Sequence, residues 1–402
     1  MNFFQKELLL LFSIISIFFS LNLLAQKKET SEDHKIILKS SNRKIPYRDY
    51  WPTSDWKVVP PEKQGVNSAD LQKVLDYCFT RTGDDQDRKG IRTDGLIIVR
   101  GGYIISEKYE RGFAADRPHL IWSVSKSFVN ALYGIAVKDG KADLNEKAYK
   151  YYKPLDSDSH RDISIDNILR MSSGIDWNEG YETSPLKSSV IAMLWTAGRN
   201  DMALFTSGFP LAHKPGTYLY YSSGDSNLLM AILKNLYKER YNSLPWERLF
   251  DKIGMKNVTW ERDKSGTFVG SSYIYATPKD IAKFGFLYLN DGKWNNEKIF
   301  PDGWLDYTMT TAPSFFNTPN YPKLEEHEMS AQWYTNFGDP KRNFLKPWPD
   351  APSDTFAASG HWGQKIWVIP SLDLIIVRVA DDRDDSFNEN KFLKLLIQSI
   401  RK

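Results

Sequence analysis

The apolar residues of this chain follow one spacing near its ends and another in its middle. Continuous or alternating apolar runs at 95–99 and 103–109 surround a Gly-Gly pair, and this pattern predicts a β-hairpin. Two further strands are predicted near the C-terminus, at 365–369 and 372–379, with a turn at Pro370 between them. The strands therefore lie close to both ends of the sequence.

Apolar residues spaced three or four apart predict four helices, at residues 68–80, 227–233, 278–290 and 388–400. Ser68 is the expected N-cap of the first helix. Another strong helical pattern follows Ser123 and ends at Asp139, and the region from about 120 to 265 is mostly helical in pattern. A sheet built from both ends of the chain, with helices inserted between its halves, is an α+β architecture.

The first 25 residues are typical of a secretory signal peptide. An apolar stretch ends at Ala25, a small residue suited to signal cleavage. Residues 8–25 are also nearly long enough to span a bilayer, so an uncleaved membrane anchor is the alternative interpretation. We predict a secreted or periplasmic protein, with no integral membrane association if the signal is cleaved.

After the signal, the pattern divides the chain into a leader and one large domain. Residues 26–61 are polar and contain Trp51 and Trp56, which indicates an extended leader that packs through its aromatic rings. Residues 62–402 form the predicted domain, with a helical lobe at about 120–265 inserted in the sheet lobe.

Composition removes several classes of function. The 402 residues include 53 Lys and Arg against 50 Asp and Glu, a formal net charge of +3, so we expect no nucleic acid as a partner. Hydrophobic residues make up 41%, too few for a protein with many membrane spans, and 22 Phe, 21 Tyr and 13 Trp argue against disorder. The single cysteine, Cys78, lies in an apolar helical pattern and is predicted to be a core residue.

Local patterns for common cofactors and metals are missing from the sequence. The six histidines are scattered, and none is spaced as a metal-binding pair. There is no glycine-rich phosphate loop and no G-x-S-x-G motif of an α/β-hydrolase. We therefore predict no metal and no cofactor.

The first candidate for chemistry is the S-x-x-K pattern at Ser123 and Lys126. Four other S-x-x-K matches occur, but only this one is followed by a strong apolar helix. Residues three apart share a helix face, and a shielded lysine can accept the proton of a serine. The alternative is an ordinary N-cap serine beside a solvated lysine.

Two further segments complete the set. An aromatic run over 215–223 contains Tyr221 and follows a Pro-Gly turn, although tyrosines in such runs are often core residues. A glycine-rich segment with His361, Gly363 and Gln364 precedes a predicted strand, where a backbone N–H can face an oxyanion. A plain glycine-rich turn is the alternative for this segment.

In this order and at these intervals, the three segments resemble the serine β-lactamase and penicillin-binding protein superfamily. The nearest branch contains class C β-lactamases, DD-carboxypeptidases and related esterases and amidases. Residues 165–175 and 277–285 are also similar to stretches of that family, so the resemblance covers about residues 62 to 400. It implies a β-lactamase/DD-peptidase-like α+β fold, an antiparallel sheet flanked by helices plus a mainly helical lobe.

The resemblance also implies a role for each motif. Ser123 would be the acylated nucleophile, and Lys126 would orient and deprotonate it. Tyr221 would be the shared proton carrier, a base in acylation and an acid toward the leaving group. The oxyanion hole would consist of the N–H of Ser123 and one N–H from the segment that begins at His361. In that register the second donor is Gln364, or Gly363 if the register slips by one residue.

Two departures from the family pattern bear on the substrate. Ser223 stands where members active on penicillin usually carry Asn, and His361-Trp362-Gly363 replaces K-T-G. These features are similar to the 6-aminohexanoate-dimer hydrolase branch, which cleaves small amides and carboxylic esters. Trp122, together with Ser223 and Trp362, is a candidate substrate-binding residue. Trp177 and Trp195 either line an apolar acyl pocket or belong to the core.

These expectations define a secreted serine hydrolase that cleaves carboxylic esters or small amides through an acyl-enzyme on Ser123. One alternative is a DD-carboxypeptidase or class C-like β-lactamase, with a peptide or lactam substrate. Another is a non-catalytic sensor that binds penicillin or a peptide. In each case the expected partner is a small-molecule ester, amide or peptide.

Overall fold

The computed structural model describes residues 35–40, 43–84, 86–181, 185–318, 329–342 and 344–401. The chain divides into two units, Met1–Ile37 and Leu38–Lys402. Only residues 35–37 of the first unit are described, so the predicted signal at 1–25 lies outside the described residues. The second unit contains the strands, the helices and the candidate site.

One six-stranded antiparallel sheet joins the two ends of the domain. Its strands, in spatial order, are β2 (Tyr103–Tyr109), β1 (Thr93–Arg100), β11 (Leu374–Ala380), β10 (Gln364–Ile369), β9 (Phe356–Gly360) and β8 (Tyr334–Thr335). The pairing of β1 with β11 places Ile98 opposite Ile376. The predicted sheet, built from strands near both termini, is confirmed.

Both faces of the sheet are covered, which explains why nearly every residue of β1, β10 and β11 is buried. The ten α-helices of the described part are α1 (Ser68–Cys78), α2 (Ser125–Lys138), α3 (Ile165–Leu169), α4 (Ser189–Trp195), α5 (Met202–Ser207), α6 (Ser223–Tyr237), α7 (Asp251–Ile253), α8 (Pro278–Leu289), α9 (Trp304–Met309) and α10 (Glu389–Ser399). Helices α1 and α10 pack on one face of the sheet, and α8 packs on the other.

Helix α8 approaches the sheet closely at Gly285. A β-carbon there would lie 2.9 Å from Cγ2 of Ile375 and 3.1 Å from Cγ2 of Ile366. The missing side chain therefore lets the helix axis come close to β10 and β11.

Two helix starts differ from the prediction. The N-cap of α1 is Asn67, whose side chain accepts a hydrogen bond from the N–H of Asp70, and Ser68 is the first helical residue. The helix predicted from Asn227 begins at Ser223, because the hydroxyl of Ser222 caps it by accepting from the N–H of Asp225. The predicted N-cap of α1 and the predicted start of α6 were therefore wrong.

Helix α2 occupies the centre of the domain. The sequence predicts one apolar face, but every residue from 125 to 136 is buried, polar residues included. The region predicted as mostly helical also contributes strands to a three-stranded sheet of β3 (His119–Leu120), β5 (Ile274–Ala276) and β4 (Val258–Trp260). A two-stranded ribbon, β6 (Lys293–Trp294) and β7 (Glu297–Lys298), completes the described strands.

The leader packs through its aromatic side chains. Trp51 lies 5.6 Å from Phe286 of α8 and 5.4 Å from Trp294, measured between ring centroids, and Trp56 lies 5.5 Å from Phe286. Cys78 is fully buried in the core between α1 and the sheet, as predicted. Among the described residues, no helix has the length and apolar character needed to cross a bilayer.

Candidate active site

Ser123 lies in a short 3₁₀ turn, Trp122–Val124, that leads directly into α2. Its neighbours Trp122 and Val124 are buried, whereas Ser123 itself is partly exposed, as a nucleophile must be. Trp122 has a φ of 48°, which is unfavourable for a bulky residue and costs on the order of 1–3 kcal/mol. Backbone strain of this kind is concentrated at functional sites.

Lys126 follows one turn later on α2, and its side chain is buried. Its Nζ lies 2.9 Å from Oγ of Ser123, 3.1 Å from Oγ of Ser223 and 3.0 Å from the carbonyl oxygen of Ser271. Three oxygens from three different segments therefore surround one amine. The structure brings Ser123 and Lys126 together as predicted.

Tyr221 also lies near the amine, two residues before α6 begins. Lys126 Nζ lies 4.8 Å from the centre of its ring. Burial raises the pKa of the Tyr221 phenol well above its usual value, Tyr334 and Glu179 act in the same direction, and a hydrogen bond with Ser123 opposes them. The phenol consequently keeps its proton at neutral pH and can donate it.

The third segment approaches Ser123 through Gly360, at the end of β9. A β-carbon on Gly360 would collide with the carbonyl oxygen of Ile121 and lie 3.2 Å from the nitrogen of Ser123. Only glycine fits there. The strand that lines the nucleophile is therefore β9, which the sequence patterns did not predict.

Gly363 and Gln364 lie after Gly360, in the turn and at the start of β10. Residues 361–363 form the turn between β9 and β10, so Gln364 begins the next strand of the sheet. Its side-chain nitrogen donates to the carbonyl of Ala380 at 2.6 Å, and its oxygen accepts from the N–H of Ala380 at 3.1 Å. The side chain of Gln364 therefore links β10 to β11, whereas the residue of this segment that contacts the backbone of Ser123 is Gly360, at the end of β9.

The conformation of the turn explains why residue 363 is a glycine. Its φ is 88°, and a β-carbon there would stand 2.5 Å from Oδ2 of Asp382 and 2.7 Å from Nη1 of Arg378. These two residues form an ion pair beneath the turn, with Arg378 fully buried. The absence of a side chain at Gly363 therefore allows the turn to pack directly against the Arg378–Asp382 ion pair.

An aromatic cluster flanks the nucleophile. The ring of Trp122 lies 5.1 Å from Trp362 and 5.5 Å from His361, while Tyr181 stacks on His361 at 4.9 Å. The ring of Trp195 lies 6.1 Å from that of Tyr181, between centroids, and Trp195 is 42% exposed. The structure thus brings the predicted residues Trp122, Trp362 and His361 together and adds Tyr181, which sequence reasoning missed.

Trp177 has a different environment. Its ring packs on Phe209 at 5.7 Å, and its indole N–H donates to Oε2 of Glu179 at 2.6 Å. Glu179 also accepts from the backbone N–H of Ser223 at 2.9 Å and from the hydroxyl of Ser223 at 2.5 Å. Burial raises the pKa of this carboxyl, and the charge of Lys126 acts against that increase. Nothing in the pattern around Glu179 marked it as part of the site.

A second carboxyl, that of Asp225, is buried in the first turn of α6. Its Oδ1 accepts from the hydroxyl of Ser173 at 2.8 Å, and within the described residues its Oδ2 has no hydrogen-bond partner. Burial raises the pKa of Asp225 to about 7, and the nearby Glu179 contributes to the increase. The family-like stretch at 165–175 therefore supplies a partner, Ser173, to the helix that follows Tyr221.

Candidate metal ligands are not clustered in the part of the chain that the structure describes: no three His, Cys, Asp or Glu side chains are grouped to hold an ion. The amine of Lys126 contacts two serine hydroxyls of the site, those of Ser123 and Ser223. A partly exposed serine, a buried lysine and a protonated tyrosine define a site of the Ser–Lys–Tyr hydrolase class.

The Beta-lactamase family model matches residues 77–398, and the chain belongs to this family. The chain is 24% identical to the 6-aminohexanoate-dimer hydrolase of Paenarthrobacter ureafaciens over 316 residues, 76% of this chain and 77% of that protein. The predictions of the fold and of a hydrolase of this family are confirmed.

Solved structures share the fold. One from Bacillus anthracis, provisionally assigned as a 6-aminohexanoate-dimer hydrolase, has a TM-score of 0.65 and 19% identity, covering 87% of this chain and 86% of that one. A family VIII carboxylesterase has a TM-score of 0.61 and 14% identity, covering 84% of this chain and 98% of that one.

Proposed function

We propose that this protein hydrolyses carboxylic esters or small linear amides through an acyl-enzyme on Ser123. The observation that carries the proposal is the 2.9 Å contact between the buried amine of Lys126 and the accessible hydroxyl of Ser123. A desolvated amine loses its proton more easily than an exposed one, so a buried lysine at this distance is suited to accept the proton of the serine.

Acylation begins with transfer of the Ser123 hydroxyl proton to neutral Lys126. Oγ forms a bond to the substrate carbonyl carbon, and the carbonyl electron pair moves to its oxygen. We assign stabilisation of this oxyanion to the N–H of Ser123 and to the peptide N–H of His361, which follows Gly360 at the end of β9.

Collapse of the intermediate breaks the bond to the leaving group. Tyr221 gives its proton to the departing oxygen or nitrogen and takes one back from Lys126, which restores the neutral amine. The raised pKa of Tyr221 supports this role, because the phenol keeps its proton until the leaving group needs it. Water then attacks the acyl carbon and gives one proton to the same pair. The bond from this carbon to Oγ breaks, that proton returns to Ser123, and the acid is released.

The preference for esters and simple amides rests on the environment of Ser223 and of the His361 turn. The Ser223 hydroxyl is held by Glu179 and Lys126, so it has little freedom to bind an acylamino side chain. The turn offers aromatic rings next to the nucleophile instead of a lysine for a substrate carboxylate. The names of the amide- and ester-cleaving relatives agree with this preference. We also propose, from residues 1–25, that the enzyme is exported.

The test is intact-mass spectrometry after brief incubation with a short-chain p-nitrophenyl ester, a small linear amide or benzylpenicillin. We expect an added acyl mass from the ester, absent in Ser123→Ala, and no stable penicilloyl adduct. A penicilloyl mass on Ser123 would favour the DD-carboxypeptidase or β-lactamase alternative. Unchanged ester turnover in Ser123→Ala would refute the proposal.

A further inference from the structure

We propose that Glu179 is a positioning residue which, acting through Ser223, orients the hydrogen bonds of Lys126 so that the lone pair of the neutral amine faces Ser123. The inference rests on the proposed function, since it explains how Lys126 is prepared to act as the base. It concerns a carboxylate whose hydrogen bonds go to Trp177 and Ser223.

The first step is the set of oxygens around Lys126. The carbonyl oxygen of Ser271, 3.0 Å from Nζ, can only accept a hydrogen bond. The hydroxyls of Ser223 and Ser123 can either donate or accept. The direction of the bond to Ser123 therefore depends on what Ser223 does with its own proton.

Glu179 decides that direction. Its Oε1 lies 2.5 Å from Oγ of Ser223, and an ionised carboxylate can only accept. The hydroxyl proton of Ser223 consequently points to Glu179, which leaves the Ser223 oxygen as an acceptor for Lys126 at 3.1 Å. Ser271 and Ser223 thus both require an N–H from the amine.

A neutral amine has two N–H groups and one lone pair. With both N–H groups taken by Ser271 and Ser223, the lone pair faces the third oxygen, Oγ of Ser123 at 2.9 Å. This is the arrangement that accepts a proton from the nucleophile. The directions of these hydrogen bonds are set before the substrate binds, so no reorganisation is required when Ser123 attacks.

The carboxylate is itself held in place. Its Oε2 accepts from the indole N–H of Trp177 at 2.6 Å and from the backbone N–H of Ser223 at 2.9 Å. Ser223 is the first residue of α6, so the helix dipole also favours negative charge at this point. Oε1 is therefore the oxygen that faces the Ser223 hydroxyl.

Protonation of Glu179 would reverse the chain of bonds. A carboxylic acid would donate to Ser223, Ser223 would donate to Lys126, and the lone pair would turn away from Ser123. The titratable groups that act on Glu179 are Lys126, Asp225, Tyr181 and Tyr221. Because burial raises the pKa of Glu179, this reversal begins at a higher pH than for an exposed carboxylate.

Helix capping alone is the competing explanation of Glu179, and Ser223→Ala separates the two. Alanine at 223 keeps the backbone N–H that donates to Glu179. It removes the hydroxyl through which Glu179 orients the hydrogen bonds of Lys126. Ser226→Ala is the matched control, because Ser226 is another buried serine of α6 whose hydroxyl donates to Gln332, at 2.8 Å, and not to Lys126.

The experiment measures the acylation rate of the full chain with p-nitrophenyl acetate, and labelling of Ser123 by a fluorophosphonate probe, from pH 5 to 9. We expect Ser223→Ala to acylate roughly 10²-fold more slowly than wild type. Its KM and melting temperature should stay close to those of Ser226→Ala. The decrease in wild-type rate that accompanies protonation of Glu179 should disappear in Ser223→Ala.

Glu179→Gln provides the second variant. Its amide oxygen must accept from Trp177 and from the N–H of Ser223, so its NH₂ group faces the Ser223 hydroxyl as a donor. The amide therefore imitates the protonated acid, and we expect a similar loss of rate. Adding Glu179→Gln to Ser223→Ala should cause little further loss, because both changes break one chain of bonds.

Two different failures remain distinguishable. A wild-type protein that is labelled at Ser123, together with Ser223→Ala acylating as fast as Ser226→Ala, overturns the role of Glu179 and leaves the proposed function standing. A wild-type protein that acylates no faster than Ser123→Ala refutes the proposed function, and the role of Glu179 fails with it.

Discussion

Gly360 lies directly against the backbone of Ser123, with the position of its missing β-carbon 3.2 Å from the Ser123 nitrogen. This contact joins the last third of the chain to the turn that presents the nucleophile. It also sets the distance between β9 and the site where the oxyanion would form. The contact therefore bears directly on activity.

Gly360→Ala is expected to lower kcat/KM for a p-nitrophenyl ester by about 10²-fold or more, because the methyl group pushes β9 away and misplaces one oxyanion donor. The control is Gly208→Ala, at a glycine with φ of −80° whose β-carbon would make an ordinary 3.4 Å contact with Phe205. Ester kinetics and thermal melting are the measurements. Wild-type kinetics in Gly360→Ala would disprove the contact as a determinant of the site.

Tyr221→Phe tests proton delivery to the leaving group. We expect kcat for a small linear amide to decrease by roughly 10²–10⁴-fold, since an amine cannot leave without a proton. The decrease in kcat should be much smaller for a p-nitrophenyl ester, because p-nitrophenolate leaves without a proton. Steady-state kinetics on both substrates give the comparison, and equal losses on the two would argue against Tyr221 as the donor.

Asp225 should make stability dependent on pH. Its pKa in the folded protein, about 7, lies above that of an unfolded aspartate, about 3.9, so the folded state binds the extra proton. The contribution of Asp225 to the free energy of unfolding is therefore fully present below about pH 4 and is lost as the pH rises towards 7. Relative to Asp225→Asn, wild type should lose melting temperature across this window. Parallel melting curves for the two proteins would contradict this expectation.

Arg378→Met is expected to destabilise the fold by about 3–5 kcal/mol, because it leaves Asp382 without its cation. The pair is joined at 2.5 Å and 3.0 Å and lies beneath the turn at Gly363. Adding Asp382→Asn should recover part of the loss, since the uncompensated charge is then removed. Denaturant unfolding measures both. A double variant less stable than Arg378→Met would show that charge is not the cause.

Sequence patterns predicted well those helices and strands that are determined by residues close together in the chain. The hairpin of β1 and β2 and the helix that follows Ser123 depend on residues near in sequence, and their bounds came close. The helix starts were harder to predict. Asn67 and Ser68 are neighbouring residues that can each cap a helix, and Ser222 precedes the apolar pattern from which the start at Asn227 was predicted.

The site was harder to predict where it depends on contacts distant in sequence. Strand β9 is short and its sequence contains two alanines, so its apolar pattern did not mark it as the wall beside Ser123. Glu179 lies 44 residues from Ser223, and its importance arises only when the fold brings the two together. Ser123, Lys126 and Tyr221 were found because their family has a fixed order of motifs.

The sheet that joins β1 to β11 has a consequence for the order of events during synthesis. Ser123, Lys126 and Tyr221 leave the ribosome well before β9, β10 and β11, and yet Ser123 has no wall until Gly360 arrives. A nascent chain that ends before Phe356 therefore carries the whole reacting trio without an enclosed site. The enclosed site can therefore form only after the last strands of the sheet have been synthesised.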